Sequence, residues 1–271
     1  MTINRKNGRS SMNFSKTNIL ALLLTMTLMN TAFGITYTCK KFGKTFTTTL
    51  AGYSSGEFDV INSSCSNLIN QHWNKFGMEK KYWDDGWGFH NACSTNTPLN
   101  RTFRALELLR VSKNSNYDSS IALNYAYGRS KNWIHNLRVR CAKNAKDSAG
   151  ASHTGGAWEW IGGDNGSGTV YIYQNGFSAS IMWLAGTILH EARHKKKGHN
   201  GDKGCPRKAS CDSSYSYGGS NAYELIYSWW YGVASKKSNI FTRQMGLDQA
   251  RSLQNRAFKK RPNFNIHTTA R

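Results

Sequence analysis

The chain has 271 residues and carries 36 lysines and arginines against 15 acidic residues, a formal net charge of +21. Three prolines and the lack of any Ser/Gly tract or internal repeat argue against a linker or a repeat architecture. Such a basic excess draws the chain to polyanions, whether nucleic acid, an acidic polymer surface of the cell envelope or an anionic membrane surface, but does not choose among them.

The first segment reads as an export signal. Lys6, Arg9 and Lys16 precede an apolar run, 19–29, and small residues follow at Ala32 and Gly34. A run of that length suits a secretory signal and is too short to span a bilayer. The expected organisation is a signal peptide over 1–34, cleaved near Gly34, and one domain over 35–271. The expected location is secreted or periplasmic, with no transmembrane segment in the mature chain. Cleavage removes four of the 36 basic residues, so 36 − 4 = 32 face 15 acidic ones, a net charge of +17.

All six cysteines, at 39, 65, 93, 141, 205 and 211, follow the signal. An even count in an exported chain predicts disulfides. Nearest-neighbour pairing gives Cys39–Cys65, Cys93–Cys141 and Cys205–Cys211. The last has the firmest basis, because its short loop lies between two helical patterns.

Residues 37–50 alternate and are rich in Thr, Tyr and Phe, which predicts one or two strands. Helical spacing predicts a helix over 59–76. The aromatic, glycine-broken stretch 82–93 is a loop, in which Asp84 and Asp85 form a polar turn. Helices are expected over 102–111 and 131–141. The glycine-rich stretch 155–168 reads as a loop without the lysine of a phosphate-binding loop. The β-branched and aromatic run 169–174 is the clearest strand. Asn175-Gly176 turns the chain, and Ser178 or Ser180 caps a helix running on to Lys197, with Gly198 as its C-cap. Two further helices begin near Asn221 and Arg243. Helices that do not alternate regularly with strands predict an α+β fold.

The helix over 181–197 contains "HEARH". His190 and His194 lie one turn apart on one face, so both imidazoles can hold one zinc ion. Glu191 stands beside them, placed to take a proton from zinc-activated water. Random placement of the chain's histidines and glutamates gives roughly 0.005 such matches per chain.

A catalytic zinc needs a third protein ligand. Glu224, on the following helix, is favoured, and its neighbours are apolar or aromatic. His199 is the alternative; it falls one residue short of the metzincin spacing. Tyr223, Tyr227 and Tyr231 recur every four residues, and Tyr227 is the candidate oxyanion donor. Asp212 is a candidate to orient a zinc-bound histidine, and Arg193 reads as a structural ion pair. His72, His90, His135, His153 and His267 read as ordinary histidines.

"TVYIYQ", "AGTILHEARHKKKGHNG" and "GGSNAYELIY" resemble exported bacterial zincin-like metallopeptidases carrying an HEARH segment, over about 169–231. The resemblance implies His190 and His194 as zinc ligands, Glu191 as base and Glu224 as the gluzincin-type glutamate. It also implies a zincin-like layout in which strand 169–174 pairs with an extended substrate. The resulting expectation is a zinc metallopeptidase acting on a peptide or cell-envelope substrate. The rival expectation is a non-enzymatic basic protein that binds polyanions or the cell envelope, with zinc absent or structural. A third has His190, His194 and His199 holding a structural zinc with no open position.

Overall fold

The alternating segment near the start forms a hairpin of β1 (Thr36–Lys41) and β2 (Lys44–Thr49), antiparallel with Cys39 opposite Phe46. It belongs to a computed structural model that describes residues 36–41, 44–49, 65–84, 86–94, 97–112, 126–142, 161–164, 168–201, 204–205, 211–234 and 240–266. The expected signal segment 1–34, Asp85, His153 and His267 lie outside the described residues. All described elements fall in one compact unit, Ile35–Arg271. No helix among the described residues is long and apolar enough to cross a membrane.

Helix α1 (Cys65–His72) leads through a 3-10 turn to the short α2 (Lys80–Trp83). Helix α3 (Pro98–Val111) starts four residues earlier than its apolar pattern suggests. Thr97 Oγ1 accepts from Asn100 N at 3.2 Å, and Pro98 lacks an N–H that the first turn could not use.

The expected helix over 131–141 is corrected by the structure. Helix α4 (Ala126–Trp133) ends before the segment's second half, which is strand β3 (Asn136–Arg140). Leu137 and Val139 point into the core, while Arg138 and Arg140 lie outward over the rings of Tyr82 and Tyr171. That period of two outweighs the helix formers around it. The glycine-rich stretch likewise contributes a strand, β4 (Ile161–Asp164). Strand β5 (Thr169–Tyr173) lies between them, parallel to β3 and antiparallel to β4.

Central placement explains why every residue of β5 is buried. It also overturns the expectation that β5 pairs with substrate, because both of its edges are already taken.

A 3-10 turn (Gln174–Ser178) leads into α5 (Ile181–His194), capped by Ser180 Oγ, which accepts from Trp183 N at 3.2 Å. Leu184, Ala185, Ile188 and Leu189 are wholly buried on α5. A short strand β6 (Asp212–Ser214) pairs in parallel with β7 (Phe258–Lys260) at the end of the described chain. Between them run α6 (Ser220–Ala234) and α7 (Ile240–Arg256). Helix α5 packs on α3 and α6, and α6 packs on α7. Helices with small separate sheets make this an α+β architecture.

Disulfides join Cys39 to Cys141, Cys65 to Cys93 and Cys205 to Cys211. The nearest-neighbour pairing holds only for the last. Cys39 on β1 meets Cys141, just after β3, and β2 of the same hairpin packs on the 3-10 turn Gln174–Ser178 that follows β5. Spatial order, not sequence order, sets the partners.

Candidate metal centre

Helix α5 ends at His194, three residues earlier than expected, and Lys195 rather than Gly198 is its C-cap. Lys196 N and Lys197 N both donate to Arg193 O, at 2.8 and 3.0 Å, which turns the chain sharply. The turn is then held from outside. Lys197 Nζ donates to Tyr217 O at 2.6 Å, Tyr217 Oη donates to Gly198 O at 3.1 Å, and Ser213 N donates to Asn200 Oδ1 at 2.7 Å.

This reversal carries His199 back to the helix. Ring centroids are 4.9 Å apart for His190–His194, 5.4 Å for His190–His199 and 4.7 Å for His194–His199. One nitrogen from each ring lies within 4.8 Å of the others, an arrangement that could hold a metal ion. His190 is buried, while His194 and His199 are partly exposed, so the group opens outward on their side.

Buried carboxylates stand behind two of the rings. Glu224 Oε2 lies 3.0 Å from His190 Nδ1, and Gln249 Nε2 donates to Glu224 Oε1 at 3.0 Å. Asp212 Oδ1 lies 2.9 Å from His199 Nδ1, and its Oδ2 accepts from Asn221 N at 3.2 Å. An imidazole that donates Nδ1–H to a carboxylate presents Nε2 as a metal ligand, with its tautomer and orientation fixed. Burial pushes His190 and His194 down to about 3, so both are neutral donors near pH 7. Convergent imidazole nitrogens suit zinc and the neighbouring transition metals.

Glu191 sits on the next helical position, 9% exposed, and among the described residues nothing hydrogen-bonds its carboxyl. Burial, with Glu224 adding its charge, pushes it up to about 8. A cation at the histidines would draw it back toward ionisation. Burial also pushes Glu224 up to about 7, opposed by its bond from Gln249.

The structure thus brings His190, Glu191 and His194 together as the motif suggests. The third histidine is His199, while Glu224 stands on the far side of the His190 ring and Asp212 supports His199. Close packing of α6 on α5 makes the Glu224 contact geometrically accessible. A Cβ on Gly186, one turn before His190, would lie 3.3 Å from Tyr227 Cδ1 and 3.5 Å from Glu224 Cγ. Tyr227 is fully buried at this crossing, with its ring 5.9 Å from Trp230. Arg193 is structural: its Nε donates to Gly218 O at 2.8 Å, and its guanidinium covers Trp133 and Tyr223.

Among the histidines read as ordinary, His72 pairs with buried Glu107 at 3.3 Å, His90 with Asp84 at 3.0 Å, and His135 meets Lys195 Nζ at 2.7 Å. Sequence reasoning missed Gln249 and Asn221. Each is a polar residue on a helix, with no local pattern that marks its long-range partner.

No protein-family model, no curated protein and no solved structure matches this chain.

Proposed function

We propose that this is an exported zinc-dependent hydrolase, of zincin-like arrangement, that cleaves peptide or related amide bonds. His190, His194 and His199 hold one zinc ion, and Glu191 is the general base. Zinc held there supplies a Lewis acid that polarises a carbonyl and makes nearby water more acidic. Glu191 accepts the proton from that water at its carboxylate and passes it to the departing nitrogen. Glu224 and Asp212 fix the His190 and His199 rings and take no proton from substrate.

The observation that carries this reading is a buried carboxyl with no hydrogen bond among the described residues, one position from three convergent imidazoles. A carboxyl so placed, with no hydrogen bond of its own, can take a proton from water beside the imidazoles, a role that a purely structural metal site does not need. Three disulfides are compatible with the oxidising compartment that export implies.

Metal analysis after mild chelation, with hydrolysis of a peptide library, tests the reading. Wild type should hold one zinc per chain. Glu191→Gln should keep the zinc and lose about 10²–10⁴-fold in rate. Equal hydrolysis by Glu191→Gln and wild type would overturn the mechanism. The net charge of +21 favours a second reading, a non-enzymatic polyanion binder. Stoichiometric zinc with no hydrolysis by wild type would favour that one.

A further inference from the structure

A cleft of about 310 Å³ lies between the 3-10 turn Tyr215–Tyr217 and the chain after β7. Its walls include Ser214, Tyr215, Ser216, Lys260, Arg261 and Phe264. Lys260 and Arg261 are exposed, and among the described residues neither makes an ion pair. Two unpaired cations on one cleft are a ready site for negative charge. The Ser214 and Ser216 hydroxyls bond each other at 3.1 Å, which leaves one O–H of the pair to donate to a ligand.

The aromatic wall is rigid. Phe264 stacks on Trp229 with centroids 5.1 Å apart and 2° between the planes, and Tyr215 meets Phe264 edge-on at 5.0 Å. Gln254 Nε2 donates to both Pro262 O and Phe264 O, at 3.2 and 2.6 Å, which fixes the backbone that carries the wall. A preformed wall reduces the entropic cost of binding.

The cleft is joined to the histidine group by two short routes. Strand β6 starts at Asp212, the partner of His199, and reaches the cleft at Ser214, about 7 Å of strand further on. The 3-10 turn forms a cleft wall at Tyr215 and Ser216, and through Tyr217 braces Lys197 and Gly198 beside His199.

We propose that this cleft binds the acidic side chains of a peptide substrate whose scissile amide lies at the histidine group. The proposal rests on the hydrolase reading for the word substrate, but not for the binding itself. Lys260 and Arg261 hold the carboxylates, and the Tyr215–Phe264 wall packs against the intervening chain.

Binding is read in zinc-loaded Glu191→Gln protein, so that nothing is consumed. A dye-labelled peptide of alternating Glu and Gly is titrated by fluorescence anisotropy. It should bind, a Lys/Gly peptide should not, and added salt should weaken the complex. Lys260→Glu with Arg261→Glu should weaken binding about tenfold with zinc content unchanged. Both residues are exposed, so the fold is not at stake. Unchanged affinity in the double variant overturns the proposal. Tighter binding of a single-stranded oligonucleotide than of the acidic peptide, lost in the same variant, also overturns it, because the cleft would then read nucleic acid. Acidic-peptide binding that depends on both cations, without hydrolysis by wild type, leaves the cleft standing and removes the hydrolase. Hydrolysis by wild type with no effect of the double variant does the reverse.

Discussion

Replacing Asp212 by Asn removes one charge and almost no volume. Asp212 is fully buried, and its two oxygens have different duties. Oδ1 faces His199 Nδ1 at 2.9 Å, and Oδ2 accepts from Asn221 N at 3.2 Å. An asparagine has one acceptor oxygen for these two donors. Whichever way the amide turns, one N–H meets an NH₂ group instead of an oxygen. If the oxygen serves the backbone, His199 loses the acceptor that fixes its tautomer. If it serves His199, the ring keeps its orientation but loses the basicity that a carboxylate gives it. Loss of such support costs about 10–100-fold in metal affinity. That is about 1.4–2.7 kcal/mol. Competition against a chromophoric chelator measures it, beside His199→Ala and Glu224→Gln. The geometry ranks them: His199→Ala should cost most, because a ligand is gone. Asp212→Asn and Glu224→Gln should cost similar, smaller amounts, since Gln249 and His190 make the same double demand on Glu224. If Glu224→Gln abolishes binding while His199→Ala and Asp212→Asn bind as tightly as wild type, Glu224 is the ligand and the three-histidine centre is wrong.

Two further outcomes follow from packing and burial. A Cβ at position 219 would lie 2.5 Å from Asp212 Oδ2, whereas one at 198 meets nothing within 4 Å. Gly219→Ala should therefore cost about 1–3 kcal/mol in urea unfolding and weaken metal binding, with Gly198→Ala nearly neutral; equal stability for the two variants would contradict the packing. Burial lowers the His72 pKa, against the pull of Glu107, so below its unfolded value the unfolded chain takes up a proton that the folded chain refuses. His72 thus contributes stability that is lost as pH falls from about 7 toward 5, at no more than about 1.4 kcal/mol per pH unit. Unfolding free energies for wild type and His72→Gln across that range should show a shallower slope in the variant, and identical slopes would refute the assignment.

The parts of this fold that were legible in sequence are those set by local pattern. The β1–β2 hairpin, β5, α5 with its serine cap, α6 and α7 all follow from periods of two or 3.6 and from capping chemistry. The parts that were not legible depend on partners far along the chain. Residues 136–140 carry helix formers and strand formers together, and only pairing with β5 decides for the strand. Gly162 and Gly163 weaken any strand signal, yet the antiparallel edge of β5 recruits them. Cys39 and Cys65 are neighbours in sequence, but the sheet, 102 residues away, claims Cys39.

The centre itself shows the same division within a few residues. Spacing of four on one helix places His190 and His194, since both turns of α5 are local. The position of His199 depends on where α5 stops, and three lysines with a glycine behind them favour a helix that continues to Lys197. The structure stops it at His194 because groups elsewhere hold the reversed chain: Tyr217 grips Lys197 and Gly198, and Ser213 grips Asn200. Both anchors follow Asp212 closely in the chain, Ser213 within β6 itself and Tyr217 within the 3-10 turn after it. The segment that bends the chain back is therefore also the one that delivers the carboxylate to the ring it brings in. Position and orientation of the third histidine then share one cause, and a histidine that looked one residue short of a known spacing needs no known spacing at all.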